Sequence, residues 1–215
     1  MADAVAKGAS PRSRQSGFID LMSLGLLVAG GTIIYRLVFH PDFAKIGSLL
    51  GWGPNGSQIA QSAWKWSQKR GLPYAWVLAT IIVESGGNPR STGDAGGESK
   101  GLMQVNTVAN AATLRQYGYG PNDMYDIDHG IEIGTLLMKQ FYDKVKQHGA
   151  ARVRTPIDET LRLSYKGPQP VYNALDRGVE PSSLSFAHPA IENWRAATQK
   201  VAAAGAPAPV KLPFV

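Results

Sequence analysis

Apolar residues follow three different rhythms along this chain. From Leu21 to Tyr35 they run without a charge, and Leu37-Val38-Phe39 carries the run past Arg36. Beyond Ser57 they recur mostly at helical spacing, broken by turn residues. Between Gly86 and Gly101 the pattern stops, and six glycines stand among polar residues.

The helical stretches predict a bundle. Ser57 suits the N-cap of a helix over 58–70 that Gly71 closes, with Ile59, Ala63, Trp64 and Trp66 packing inward. The next helix carries Trp76, Val77, Leu78, Ile81, Ile82 and Val83, apolar on almost every side as in a core helix. Pro73 fits its first turn, and Ser85-Gly86-Gly87-Asn88-Pro89 stops it. A short helix over 107–117 is broken by Gly118-Tyr119-Gly120-Pro121. Asp126 or Asp128 caps a long helix ending at Gly149, with Ile127, Ile131, Gly134, Met138, Phe141 and Val145 as its core face. Thr155-Pro156 opens another that leads to Tyr165, a shorter one covers 170–177, and a last one runs from near Pro189 to Gly205. No strand-like run follows Ser57. The expected fold class is predominantly α.

The charge-free run is long enough for a membrane helix over 18–39, since about 20 residues cross a bilayer. Its glycines are common in such spans, and Asp20 and Arg36 lie near the ends. A cleaved signal peptide and a buried soluble helix compete with that reading. Lys7, Arg12 and Arg14 precede the run while Arg36 and Lys45 follow, which favours a domain outside the cytoplasm. The expected organisation is a flexible tail over 1–17, the membrane helix over 18–39 and a Pro- and Gly-punctuated linker over 40–56, in which Phe43, Ile46, Leu49, Leu50 and Trp52 can form a short amphipathic piece resting on the membrane or on the domain. A catalytic domain over 57–204 and a Pro/Ala-rich tail over 205–215 complete it.

Composition narrows the chemistry. There is no cysteine, so disulfides are excluded, and the four histidines show no ligand spacing, so no metal or other cofactor is expected. The net charge of +6 is scattered and accompanies no nucleic-acid motif, so no nucleic-acid partner is expected. A basic enzyme acting on an anionic polymer such as a bacterial wall accounts for the charge equally well.

Glu84 is the candidate for that chemistry. A carboxyl at the end of a buried helix is partly removed from water, which raises its pKa and suits a general acid. The plainer alternative is a helix-end glutamate facing solvent. The glycines that follow let the backbone take positive φ and approach a partner closely. They do not form a phosphate loop, because Lys100 precedes Gly101 instead of closing a Gly-Lys-Ser/Thr run.

Three blocks in order carry a resemblance: Glu84-Ser85 with Asn88-Pro89 and Gly101-Leu102-Met103-Gln104-Val105; Tyr125 to Gly134; and Leu163-Ser164-Tyr165-Lys166-Gly167-Pro168. Together they resemble the soluble lytic transglycosylase and goose-type lysozyme superfamily. The resemblance implies a lysozyme-like fold and a peptidoglycan substrate, cut at the β-1,4 bond between N-acetylmuramic acid and N-acetylglucosamine. It implies Glu84 as the sole essential acid/base, with Met103, Gln104 and Tyr165 on the groove wall and Tyr165 orienting Glu84. A hydrolytic alternative resembles goose-type lysozymes and would use Asp94 to position water. Asn106 stands where those enzymes carry a further Asp, a departure that favours transglycosylation. Lys166 replaces the family's usual Asn. A lysozyme-fold assembly protein without activity is the third reading. Membrane lipid at 18–39 and proteins of a secretion apparatus or phage particle are the further partners expected, with the enzyme on the wall side of a membrane or in a virion.

Overall fold

A computed structural model describes residues 24–29, 32–37, 40–93 and 96–207, the first two stretches as backbone alone. The chain divides into two units, Met1–His40 and Pro41–Val215. In the first, β1 (Leu24–Ala29) pairs antiparallel with β2 (Thr32–Leu37), with Ala29 opposite Thr32 and Leu24 opposite Leu37. Strands therefore stand where part of a membrane helix was expected, and the rest of that stretch lies outside the described residues. The tail over 1–17 also lies outside them, as does most of 205–215. Thr32-Ile33-Ile34-Tyr35 is β-branched and aromatic, which favours extended backbone. An unbroken apolar run does not distinguish the two conformations. No helix among the described residues is long and apolar enough to cross a membrane.

The second unit starts earlier than the expected catalytic domain. Asp42 caps α1 (Phe43–Leu49) by accepting the Lys45 N–H at 2.9 Å. Ile46, Leu50 and Trp52 are buried in the main core. α1 lies on α2 (Gly56–Arg70), backbone against backbone where Gly47 meets Gly56. The stretch 41–56, expected as a linker, is thus packed into the second unit, with its apolar residues resting on the domain. Its prolines and glycines mark bends, and bends do not prevent the apolar residues between them from packing.

The central element is α3 (Tyr74–Ser85), in which Val77, Leu78, Ala79 and Ile81 have 0% exposure. Burying one such leucine or isoleucine contributes about 1.5–3 kcal/mol. After α3 the chain forms a small antiparallel sheet of β3 (Thr92–Gly93), β4 (Ser99–Lys100) and β5 (Val105–Asn106). Two-residue strands carry no sequence period, and none was expected there. α4 (Ala111–Gln116) follows, then α5 (Ile127–Gln147), capped by Asp126 through the N–H groups of Asp128 and His129 at 2.9 and 3.0 Å. α6 (Ile157–Lys166), α7 (Pro168–Asp176) and α8 (Ala187–Ala203) complete the bundle. α3 packs against α2 and α8, and α6 packs against α5, α7 and α8. That arrangement brings the end of α3 to the side of α6.

Candidate active site

Glu84 lies in the last turn of α3, which ends at Gly86 in the left-handed conformation. The next residue ties that helix end to the loop beyond it. Ser85 Oγ shares its proton between Leu102 O at 2.9 Å and Ile81 O at 3.1 Å, and accepts the Gly87 N–H at 3.2 Å. Gly87, at φ 88°, lies so close to the Trp52 indole that a Cβ there would collide with the ring. Trp52 therefore supports the turn that follows Glu84.

The Gly-Leu-Met-Gln segment is fixed from several sides. Gly101, at φ 77°, meets the Met124 carbonyl so closely that no side chain fits, and its N–H donates to Ser91 O at 2.9 Å. Gln104 is the one non-glycine with positive φ among the described residues, at 49°. Such a conformation in a non-glycine residue is uncommon and is held by its surroundings. Here the Gln104 amide Nε2 donates to Gly101 O at 2.9 Å and Ser91 O at 3.2 Å, bracing the loop from within.

The Glu84 carboxylate is 14% exposed, and its Oε1 accepts a hydrogen bond from Nη1 of Arg162, which is 2% exposed. Oε2 accepts no hydrogen bond among the described residues. The expectation for Glu84 counted removal from water but no neighbouring cation, and the structure supplies one from α6. Arg162 was not singled out in the sequence. The signal available was its place one helical turn before Tyr165, on the same face of α6.

Tyr165 does not make its expected hydrogen bond to Glu84. Its hydroxyl is buried without a hydrogen-bond partner among the described residues. Burial and then the Glu84 charge push its pKa up, against a downward pull from Arg162, so the phenol stays neutral. Its ring packs on Phe141, with centroids 5.2 Å apart. Met103, expected on the groove wall, is 2% exposed and packs against α5 at Gly134, which makes it a core residue. Gln104 is half-buried beside it. Asn106 Nδ2 donates to Glu98 Oε2 at 3.3 Å, while its Oδ1 accepts the Ala109 N–H at 2.8 Å. Asp94 lies outside the described residues.

In the segment between α4 and α5, Tyr119 stacks on His129 at 4.3 Å and donates to Glu132 at 2.9 Å, and Tyr117 stacks on Tyr119 at 6.4 Å. Tyr125 is half-buried as they are, its hydroxyl 2.8 Å from Thr92 Oγ1 and its ring beneath Arg90 and Lys100. It lines a cavity of about 460 Å³ with Asn55, Gln58, Arg90, Asn122 and Asp126, and Glu84 is not part of that lining. Among the described residues no cluster of three or more His, Asp or Glu side chains is placed to hold a metal ion.

The comparisons add one finding. Residues 61–156 match the model of the transglycosylase SLT domain. An SLT domain indicates a lytic transglycosylase enzyme and implies that it acts on peptidoglycan. The match holds Glu84 and the Gly-Leu-Met-Gln segment, and it ends before Arg162 and Tyr165. The mostly helical fold agrees with a lysozyme-like SLT domain. No curated protein matches the chain.

Proposed function

We propose that this protein cuts the β-1,4 bond between N-acetylmuramic acid and N-acetylglucosamine, with Glu84 as its acid and base. The observation that carries the reading is the state of Glu84. It lies inside the SLT match, largely shielded from water, with one oxygen held by a buried arginine and the other free of protein partners among the described residues.

In the first step Glu84, protonated, gives its proton to the glycosidic oxygen. The C1–O bond breaks, and its electron pair leaves with the N-acetylglucosamine oxygen, which departs as a hydroxyl. The acetamido oxygen of the muramic residue stabilises the cationic C1, as in glycosidases that use one carboxyl and their own substrate. In the second step the Glu84 carboxylate takes the proton of the muramic C6 hydroxyl while its oxygen bonds to C1. The product is a 1,6-anhydro sugar, no water is consumed, and Glu84 regains its proton. One group serving as acid and then base follows from microscopic reversibility.

Mass spectrometry of purified peptidoglycan digested with the full chain tests this reading, with Glu84→Gln as control. The expected products are muropeptides lighter by one water that end in anhydro sugar and disappear in the control. Reducing-end products would make the enzyme a lysozyme and turn attention to Asp94. No product from a folded protein would support the inactive assembly role. The wall lies outside the cytoplasm, so the enzyme works there, within an envelope machine or carried by a phage particle. Detection in purified particles selects the second setting.

A further inference from the structure

We infer that Arg162 is the positioning residue of Glu84, fixing Oε1 so that Oε2 is the oxygen that handles the proton. The inference rests on the proposed role of Glu84 and goes beyond it, because Arg162 lies outside the SLT match.

The geometry is one-sided. Only Oε1 touches the guanidinium, through Nη1, and Oε2 has no protein donor among the described residues. A carboxyl oxygen that carries no proton accepts from an arginine whether the group as a whole is neutral or charged. The contact therefore persists through both halves of the reaction, while Oε2 alternates between holding a proton and holding none. As the proton leaves, negative charge develops on the carboxylate, and a preorganised cation in a water-poor site stabilises that change.

The rest of α6 leaves Arg162 to this task. Asp158 accepts from Trp194 Nε1 at 3.0 Å, and Glu159 accepts from Arg195 Nε at 2.7 Å, so both acids of the helix are engaged elsewhere. Leu161 and Leu163, on either side of Arg162, have 0% exposure and hold the helix rotation. The Tyr165 hydroxyl, close enough to feel both charges of the pair, makes no hydrogen bond among the described residues. Arg162 is thus the side chain that sets where the Glu84 carboxylate points.

The test uses the full-length protein with Arg162→Met, Arg162→Lys and Glu84→Gln. Anhydro-muropeptide release gives kcat and KM, sedimentation with insoluble peptidoglycan gives binding, and thermal unfolding reports folding. The expected result is a loss of about a hundred-fold in kcat for Arg162→Met, the scale of a slightly misplaced group, with KM and glycan binding kept. Arg162→Lys retains the charge without the planar fork, and its kcat falls between those of the wild type and the Met variant. Wild-type kcat in a folded Met variant overturns the inference, and so does a loss confined to KM. If the Met variant does not fold, the Lys variant decides, and wild-type kcat there is the contrary result. An active Glu84→Gln protein would refute the underlying reading instead. An inactive one beside fully active Arg162 variants would leave that reading standing and remove only the inference.

Discussion

Asp128 and Glu84 each meet a cation from another helix, and they are satisfied very differently. Asp128, in the first turn of α5, accepts from Ser62 Oγ at 2.7 Å and Trp66 Nε1 at 2.9 Å through Oδ1, and from Lys65 Nζ at 2.7 Å through Oδ2. All three donors come from α2, so this carboxylate fastens α5 to α2 with both oxygens engaged. Glu84 is more deeply buried, yet one oxygen holds the single contact and the cation's own Nε has no partner. With Oε2 free of protein donors among the described residues, Glu84 is less engaged in fastening helices than Asp128 and has an oxygen available to exchange a proton with a ligand.

Removing the acid function makes the largest difference between the two. Glu84→Gln is expected to lower muropeptide release by about 10²–10⁴-fold, the usual contribution of a general acid–base group. Asp128→Asn is expected to leave release near the wild-type level in samples of equal folded concentration.

Stability separates them next. Truncating one partner of a buried pair strands the other charge, so Arg162→Met is expected to destabilise by about 3–5 kcal/mol in urea unfolding. The double variant Glu84→Gln, Arg162→Met removes both charges and should recover part of that loss. Equal stability of the single and double variants would contradict the pairing.

Much of the bundle, and the place of Glu84 at the end of a buried helix, are legible in the amino-acid sequence. The long helix α5 follows from Ile127, Ile131, Met138 and Val145 at helical spacing, and Glu84 from an apolar run that ends abruptly in glycines. Other features depend on contacts that no local pattern records. Arg162 meets its partner 78 residues away, and a charged residue between two leucines reads as an ordinary solvent-facing position. Trp52 has the look of a connector residue because Gly51, Gly53 and Pro54 surround it, yet it packs under Gly87. Met103 belongs to a motif expected to line a groove, but its side chain fills the space that Gly134 leaves.

A smaller effect concerns acid pH. Burial works against the charged form of Asp128, but the donors Lys65, Ser62 and Trp66 outweigh it and hold the carboxyl below the usual aspartate range. A lowered folded-state pKa stabilises the protein above the unfolded aspartate value of about 3.9, and that stability is lost as pH falls through the folded value. Asp128→Asn should therefore flatten the fall in melting temperature over that acid window. An unchanged fall would show that the fastening contributes nothing there. The smallest effect belongs to Lys65, which is 56% exposed and whose ion pair with Asp128 is screened by solvent. Lys65→Ala is expected to cost about 0.2–1 kcal/mol, less at high salt, by thermal unfolding at two ionic strengths.

One digestion experiment tests the contrast most directly. Equal amounts of folded wild type, Glu84→Gln and Asp128→Asn are incubated with the same peptidoglycan, and anhydro-muropeptides are counted over time. Anhydro products from wild type and Asp128→Asn, and none above background from Glu84→Gln, is the predicted result. Undiminished release by Glu84→Gln would show that the half-engaged carboxylate is not the working one.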